Sequence, residues 1–171
     1  WVAGRQPMDA AVPEGRREQP EGAILETCPG AAAVVFEAAG RLTEQGGAAL
    51  FIDYGYAQPR FGSSLQAVSR HCKVDPFDRP GEADLTAHVD FATLAQVAQS
   101  REVRWLGTVP QGQWLRALGI EARAEALGRH APQHREAVMR AMERLTSPAQ
   151  MGDLFKVMGL TAPSWPDGVG F

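Results

Sequence analysis

The chain has 171 residues, enough for one domain with a real hydrophobic core. Its 44% hydrophobic and 22% charged content is that of an ordinary soluble protein, and a formal net charge of −3 weighs against a nucleic-acid partner. No apolar run approaches the ~20 residues of a membrane span, and Cys28 and Cys72, far apart and in no CxxC pair, speak against a disulfide framework or a zinc knuckle.

Gly4 to Glu21 is rich in Pro, Gly and charge and has no period, so a loop or hairpin remnant is expected over 1–21, in a chain that starts mid-domain. Ala23-Ile24-Leu25-Glu26 reads as a short strand or a helix lead-in. From Pro29 the spacing of Val34, Val35, Ala38, Ala39 and Leu42 predicts a helix stopped by Gly46-Gly47. Ala48 to Ile52 is a continuous apolar run, the pattern of a buried parallel strand. It ends in Asp53-Tyr54-Gly55-Tyr56, and the carboxyl end of a strand is where open α/β sheets place their sites. Gly55 would let a ligand approach closely.

From Gln58 to His88 the chain is punctuated by Pro59, Gly62, Pro76, Pro80 and Gly81 and reads as a long irregular segment, with a short strand or helix within Ser64 to Cys72. Asp90 is an N-cap candidate for a helix over Phe91 to Gln99. Val103 to Gly107 reads as a strand. Thr108-Val109-Pro110-Gln111 has the form of a capping box, opening a helix with Trp114, Leu115 and Leu118 on one face. Further helices are expected at Ile120 to Leu127 and Gln133 to Leu145. Ser147-Pro148-Ala149-Gln150 forms a second capping pattern, and Leu154 to Met158 a last strand. Helices alternating with apolar strands give an α/β class.

There is no GxGxxG, P-loop, HExxH or GxSxG. Asp53 and Tyr54 either line a cleft or make a solvated turn. His88 and Asp90, two apart, face one side of an extended segment and could serve as a His–carboxylate pair. The blander reading, a capping Asp90 and a packed His88, is favoured. Gln111 and Gly112 start a helix, whose free N–H groups can hold a carboxylate or phosphate, although a plain cap is the commoner outcome. Adjacent His71 and Cys72 lack spaced partners for a metal, so no metal site is expected. Arg123, Arg129, Arg135, Arg140 and Arg144 read as a solvated helix face, and the four tryptophans as core or interface residues.

Four segments taken together resemble one family. They are GGAALFIDYGY (Gly46–Tyr56), LQAVSRHCKVDPFDRPGEADLTAHVDF (Leu65–Phe91), QGxxLxxLGIEAR (Gln111–Arg123) and LTSPAQMGDLFKVM (Leu145–Met158). The order and content are similar to the S-adenosylmethionine-dependent methyltransferases that include the mitochondrial complex I assembly-factor arginine methyltransferase and its bacterial relatives.

The resemblance implies the C-terminal portion of a Rossmann-like class I methyltransferase sheet with added helices, all within one methyltransferase domain. Core strands and a substrate-side loop would span 22–110, a helical segment 111–146, and the last strand and tail 147–171. It implies S-adenosylmethionine as cofactor, with the glycine-rich cofactor loop outside this chain, so that these residues alone would be inactive. Asp53, Tyr54, Gly55, His88, Asp90, Gln111 and Gly112 would then contribute to substrate binding, and Ala48–Ile52 would be the fifth sheet strand. It implies a protein substrate, a respiratory-complex subunit among them, in the bacterial cytoplasm or the mitochondrial matrix. A non-catalytic assembly factor on the same fold is the alternative, and a small-molecule methyltransferase a third.

Overall fold

A computed structural model describes Val12 and residues 14–171. These residues fall into two compact units, one formed with Pro59–His88 and the segment up to Cys28, the other by Pro29–Gln58 and Val89–Phe171. Of the expected N-terminal loop, residues 1–11 and 13 lie outside the described residues; Glu14–Arg16 form a single 3-10 turn.

The larger unit opens with α1 (Pro29–Gln45), which has proline at its first position and buries Val35, Ala39 and Leu42 along one stripe. It stops because the Gly46 N–H turns back to the Leu42 carbonyl at 2.9 Å with φ at +82°, the left-handed ending that glycine adopts without penalty. β1 (Ala48–Tyr56) follows, and β5 (Val89–Asp90) pairs with its far end in parallel, Gly55 opposite Val89 and Tyr56 opposite Asp90. α2 (Phe91–Gln99) then leads to β6 (Arg104–Pro110). Four helices come next, α3 (Gln111–Ala117), α4 (Ile120–His130), α5 (Arg135–Thr146) and the one-turn α6 (Met151–Leu154), with a 3-10 turn at Pro132–His134. β7 (Phe155–Thr161) closes the unit.

The sheet order is β5-β1-β7-β6. The mixed α/β class holds, but β1 is not flanked by parallel strands along its length. β7 runs antiparallel to β1 from Ala48↔Thr161 to Tyr54↔Phe155, and antiparallel to β6. An all-apolar run does not fix the direction of its neighbour, and here the four-helix excursion returns the chain to insert β7 the other way. The core lies between the sheet and the first two helices: Val35, Ala39 and Leu42 meet Phe91, Leu94, Ala95, Ala98, Val103, Met158 and Leu160. Each large side chain removed from water here contributes about 1.5–3 kcal/mol. β1 sends Ala49 and Phe51 to this core and leaves Leu50 and Ile52 half exposed. Among the described residues, only Gly55 and Tyr56 of β1 pair on the side away from β7.

Both capping boxes give way to other structure. Thr108 is sheet, opposite Met158, and accepts a hydrogen bond from Trp105 Nε1 at 3.3 Å. α3 begins after Pro110, which makes no side-chain cap. Ser147 ends α5 rather than opening a helix: its N–H donates to the Glu143 carbonyl, and its own carbonyl accepts from Gln150 and Gly152. Leu118, expected on the inner face of α3, is its C-cap residue and 49% exposed. The last strand starts one residue late and runs on through Gly159-Leu160-Thr161, because its central place in the sheet gives it partners on both sides along its length.

The smaller unit replaces the expected irregular segment with a three-stranded antiparallel sheet, β3-β2-β4, from β2 (Gln66–Ser69), β3 (Cys72–Val74) and β4 (Asp84–Thr86). The strands are three or four residues long, too short to carry an alternating signature. Ala23–Glu26 forms neither strand nor helix. Among the described residues, no helix is long and apolar enough to cross a membrane, and no group of three His, Cys, Asp or Glu is placed to hold a metal ion.

Candidate functional site

β1 and β5 run parallel and end together, which places Asp53, Tyr54, Gly55 and Asp90 at one end of the sheet. Directly across from Asp53 on β7 is Lys156, and across from Lys156 on β6 is Pro110. That row carries the sheet end from the Asp53 carboxylate to the start of α3.

Asp53 is exposed, and its Oδ1 accepts the N–H of Tyr54 at 2.8 Å. Tyr54 stands edge-on to Phe155, ring centroids 5.7 Å apart, a geometry that fixes the ring. Gly55 is buried and cannot carry a side chain: an added Cβ would lie 2.2 Å from the Val89 carbonyl oxygen. The space expected for an approaching ligand is filled by the backbone of β5. Asp90 caps α2, Oδ1 accepting the Thr93 N–H at 3.0 Å and Oδ2 the Thr93 hydroxyl at 2.8 Å.

Sequence reasoning missed Lys156. Burial lowers its pKa from the ordinary lysine value, partly offset by the nearby Asp153 charge, and its Nζ donates to the Asp153 carbonyl. Only the β7 register brings it to Asp53; no local pattern signals that. Beside this end, along the open edge of β1, lies a hollow of about 350 Å³ lined by Ala31, Val34 and Val35 of α1, Leu50 to Asp53, Val89, Phe91 and Leu94. Asp53 is the one charged residue in its wall.

Gln111 and Gly112 are packed against the end of α5. Gln111 is 7% exposed and its amide donates to the Leu145 carbonyl at 2.9 Å. A Cβ on Gly112 would meet the Thr146 carbonyl at 2.4 Å, so the start of α3 is pressed onto the end of α5. Arg116 also donates to the Thr146 carbonyl.

His88 belongs to the smaller unit, where its N–H donates to Ser64 Oγ at 2.9 Å. Ser64 is buried and donates through its hydroxyl to Glu26, whose carboxylate also accepts the Ser64 N–H at 2.7 Å and the Ser63 hydroxyl at 3.0 Å. Burial alone would raise the Glu26 pKa; the hydrogen bonds of Ser64, Ser63 and the Leu65 backbone outweigh it and hold the carboxyl below its usual range. This clasp joins residues 37 and 38 positions apart and leaves no periodic trace in the sequence.

The sheet end thus holds a carboxylate and a half-buried ammonium on one face and a packed phenol on the other, with no nucleophile–base pair among them. The carboxylate can orient a cationic group; nothing among these residues activates one.

The family described as S-adenosyl-L-methionine-dependent methyltransferase matches residues 3–109. The chain is 41% identical over 125 residues to the mitochondrial protein arginine methyltransferase NDUFAF7 homolog of Drosophila melanogaster, covering 70% of this chain and 28% of that protein. It is 37% identical over 138 residues to the mitochondrial protein arginine methyltransferase NDUFAF7 of Rattus norvegicus, covering 80% and 31%. Two crystal structures from Burkholderia thailandensis, each 32% identical and covering 79% of this chain, superpose with TM-scores of 0.70 and 0.67, over 37% and 36% of their own chains. The second holds S-adenosyl-homocysteine. The chain therefore spans about a third of the length of these relatives. With more than half of its residues matched by one family and the same fold recovered in solved structures, the chain belongs to the S-adenosyl-L-methionine-dependent methyltransferases.

Proposed function

We propose that these residues form the substrate side of an S-adenosylmethionine-dependent methyltransferase that acts on arginine in a protein. The carrying observation is Asp53, an exposed carboxylate at the shared end of two parallel strands, set in the wall of an otherwise apolar hollow. A guanidinium is planar and permanently charged, and a carboxylate matches it in both respects. Methyl transfer from a sulfonium needs the nucleophile held in line more than it needs a base, which agrees with a site that has orienting groups and no nucleophile–base pair.

On this reading Tyr54, packed against Phe155 on the other face of β1, steadies the strand that carries Asp53, Asp90 and Gly55 keep the strand ends in place, and Gln111, Gly112 and His88 act through packing and backbone hydrogen bonds. S-adenosylmethionine is the methyl donor. The names of the relatives support a protein substrate, and the family resemblance makes a respiratory-complex subunit the first to try. The compartment follows the source, mitochondrial matrix in a eukaryote and cytoplasm in a bacterium.

The test is Asp53→Asn in a protein of the relatives' full length, assayed on an arginine peptide with S-adenosylmethionine affinity measured in parallel. The expected result is a loss of about tenfold or more in kcat/KM, the scale of one charged contact, with cofactor affinity unchanged. Equal loss of both would remove Asp53 from the substrate side.

A further inference from the structure

The hairpin between β2 and β3 turns in two residues. Ser69 and Cys72 are partners in register, leaving Arg70 and His71 as the whole loop. Both have positive φ, 49° and 64°, as in the type I′ turn that asparagine and glycine make readily. Side chains longer than those strain this backbone. The same unit places glycine at three other positive-φ positions, Gly22, Gly62 and Gly81, and Arg79 at a fourth, so the tip carries two large polar side chains where glycine is the commoner choice.

Arg70, His71 and neighbouring Lys73 are all exposed, and among the described residues none of their side chains has a hydrogen bond or ion pair. Arg79, the other basic residue of this unit with positive φ, is instead matched by Asp78 and Glu82. In a chain of net charge −3, an uncompensated basic tip on a rigid turn is a local reversal of sign.

We propose that the Arg70–His71 tip, with Lys73, is a docking element for an acidic stretch of a protein partner. Among the described residues no carboxylate is within ion-pair distance of these three side chains, so their charge is available outward. Charge complementarity selects an acidic peptide. Nucleic acid fits less well, because the chain's overall negative charge repels a long polyanion and the tip has no aromatic ring for bases to stack on. The docking does not depend on the methyltransferase reading, since it is read by binding alone.

The test uses the whole 171-residue chain, a fluorescein-labelled decaglutamate peptide and a decaglutamine control, followed by anisotropy at low salt. Arg70→Asn combined with His71→Gly supplies the favoured turn pair. That variant should melt at a higher temperature than the parent and bind decaglutamate about threefold more weakly, the scale of the one exposed guanidinium contact it loses. Arg70→Gln with His71→Gln, which keeps large side chains, should show the same weakening. Lys73→Gln should weaken binding about twofold to threefold. The proposal is overturned if the Asn-Gly variant binds decaglutamate as the parent does, or melts lower. It is equally overturned if the parent fails to distinguish decaglutamate from decaglutamine, or binds a single-stranded DNA 10-mer as tightly.

Discussion

Asp90 and Glu26 show how one carboxylate can serve the fold in two ways. Asp90 was legible as a cap, because an Asp followed by an apolar helical stripe is a local pattern, and both its oxygens do reach Thr93. Asp90→Ala should cost about 1 kcal/mol in urea unfolding, while Asp90→Asn, which keeps an accepting oxygen, should cost a fraction of that. Loss of the same size in both would mean that the charge matters beyond the cap. Glu26 is the opposite case, invisible in sequence because its partners Ser63 and Ser64 are distant in the chain. Its folded pKa lies below the ordinary value of 4.5, so the ionised clasp contributes its full stability above that pH and loses it as pH falls further below. Melting temperature followed from pH 6 down to pH 3 should therefore drop more in the parent than in Glu26→Gln. Parallel curves for the two would show that the clasp adds nothing.

At the scale of elements, the long helices were read from periodicity, α1 almost to the residue and α2, α4 and α5 within a few positions. The strands were harder. β1 is an apolar run, yet three of the five residues from Ala48 to Ile52 are exposed, Leu50 and Ile52 at 50% and 47%, while Met158 opposite Phe51 is fully buried. Leu50→Lys and Ile52→Lys should each change unfolding free energy by less than about 0.5 kcal/mol and raise solubility by charging an open strand edge. Met158→Ala should cost about 2–5 kcal/mol. If the lysine variants are as damaging as Met158→Ala, the edge is covered in solution. The two capping boxes failed for one reason. A Ser or Thr three residues before Gln satisfies the motif on paper, but Thr108 was already committed to a sheet register and Ser147 to the end of a helix.

For the molecule as a whole, the candidate site divides along similar lines. The strand-end rule led to Asp53 and Tyr54 from sequence, and Gly55 was singled out for a ligand's approach where the structure instead shows a strand's. Gln111 and Gly112 were read from a helix start whose surroundings no local pattern describes; Leu145 and Thr146, more than thirty residues later, occupy them. With the cofactor loop expected elsewhere in the fold and the start of α3 packed against α5, calorimetric titration of S-adenosylmethionine into this chain should give no binding heat, and a protein of the relatives' full length should bind it one to one. Binding by this chain would show that its pocket is more complete than the packing at Gly112 suggests.

Helix positions, the α/β class and the ordered set of segments that marks the family follow from the sequence by itself, since each depends on residues close in the chain or on their order along it. The tertiary structure alone decided the antiparallel insertion of β7, the pairing of Lys156 with Asp53, the Glu26–Ser64 clasp and the closing of the space at Gly55. Those depend on which distant backbone arrives alongside, and a strand carries the same apolar run whichever neighbour, in whichever direction, comes to lie against it.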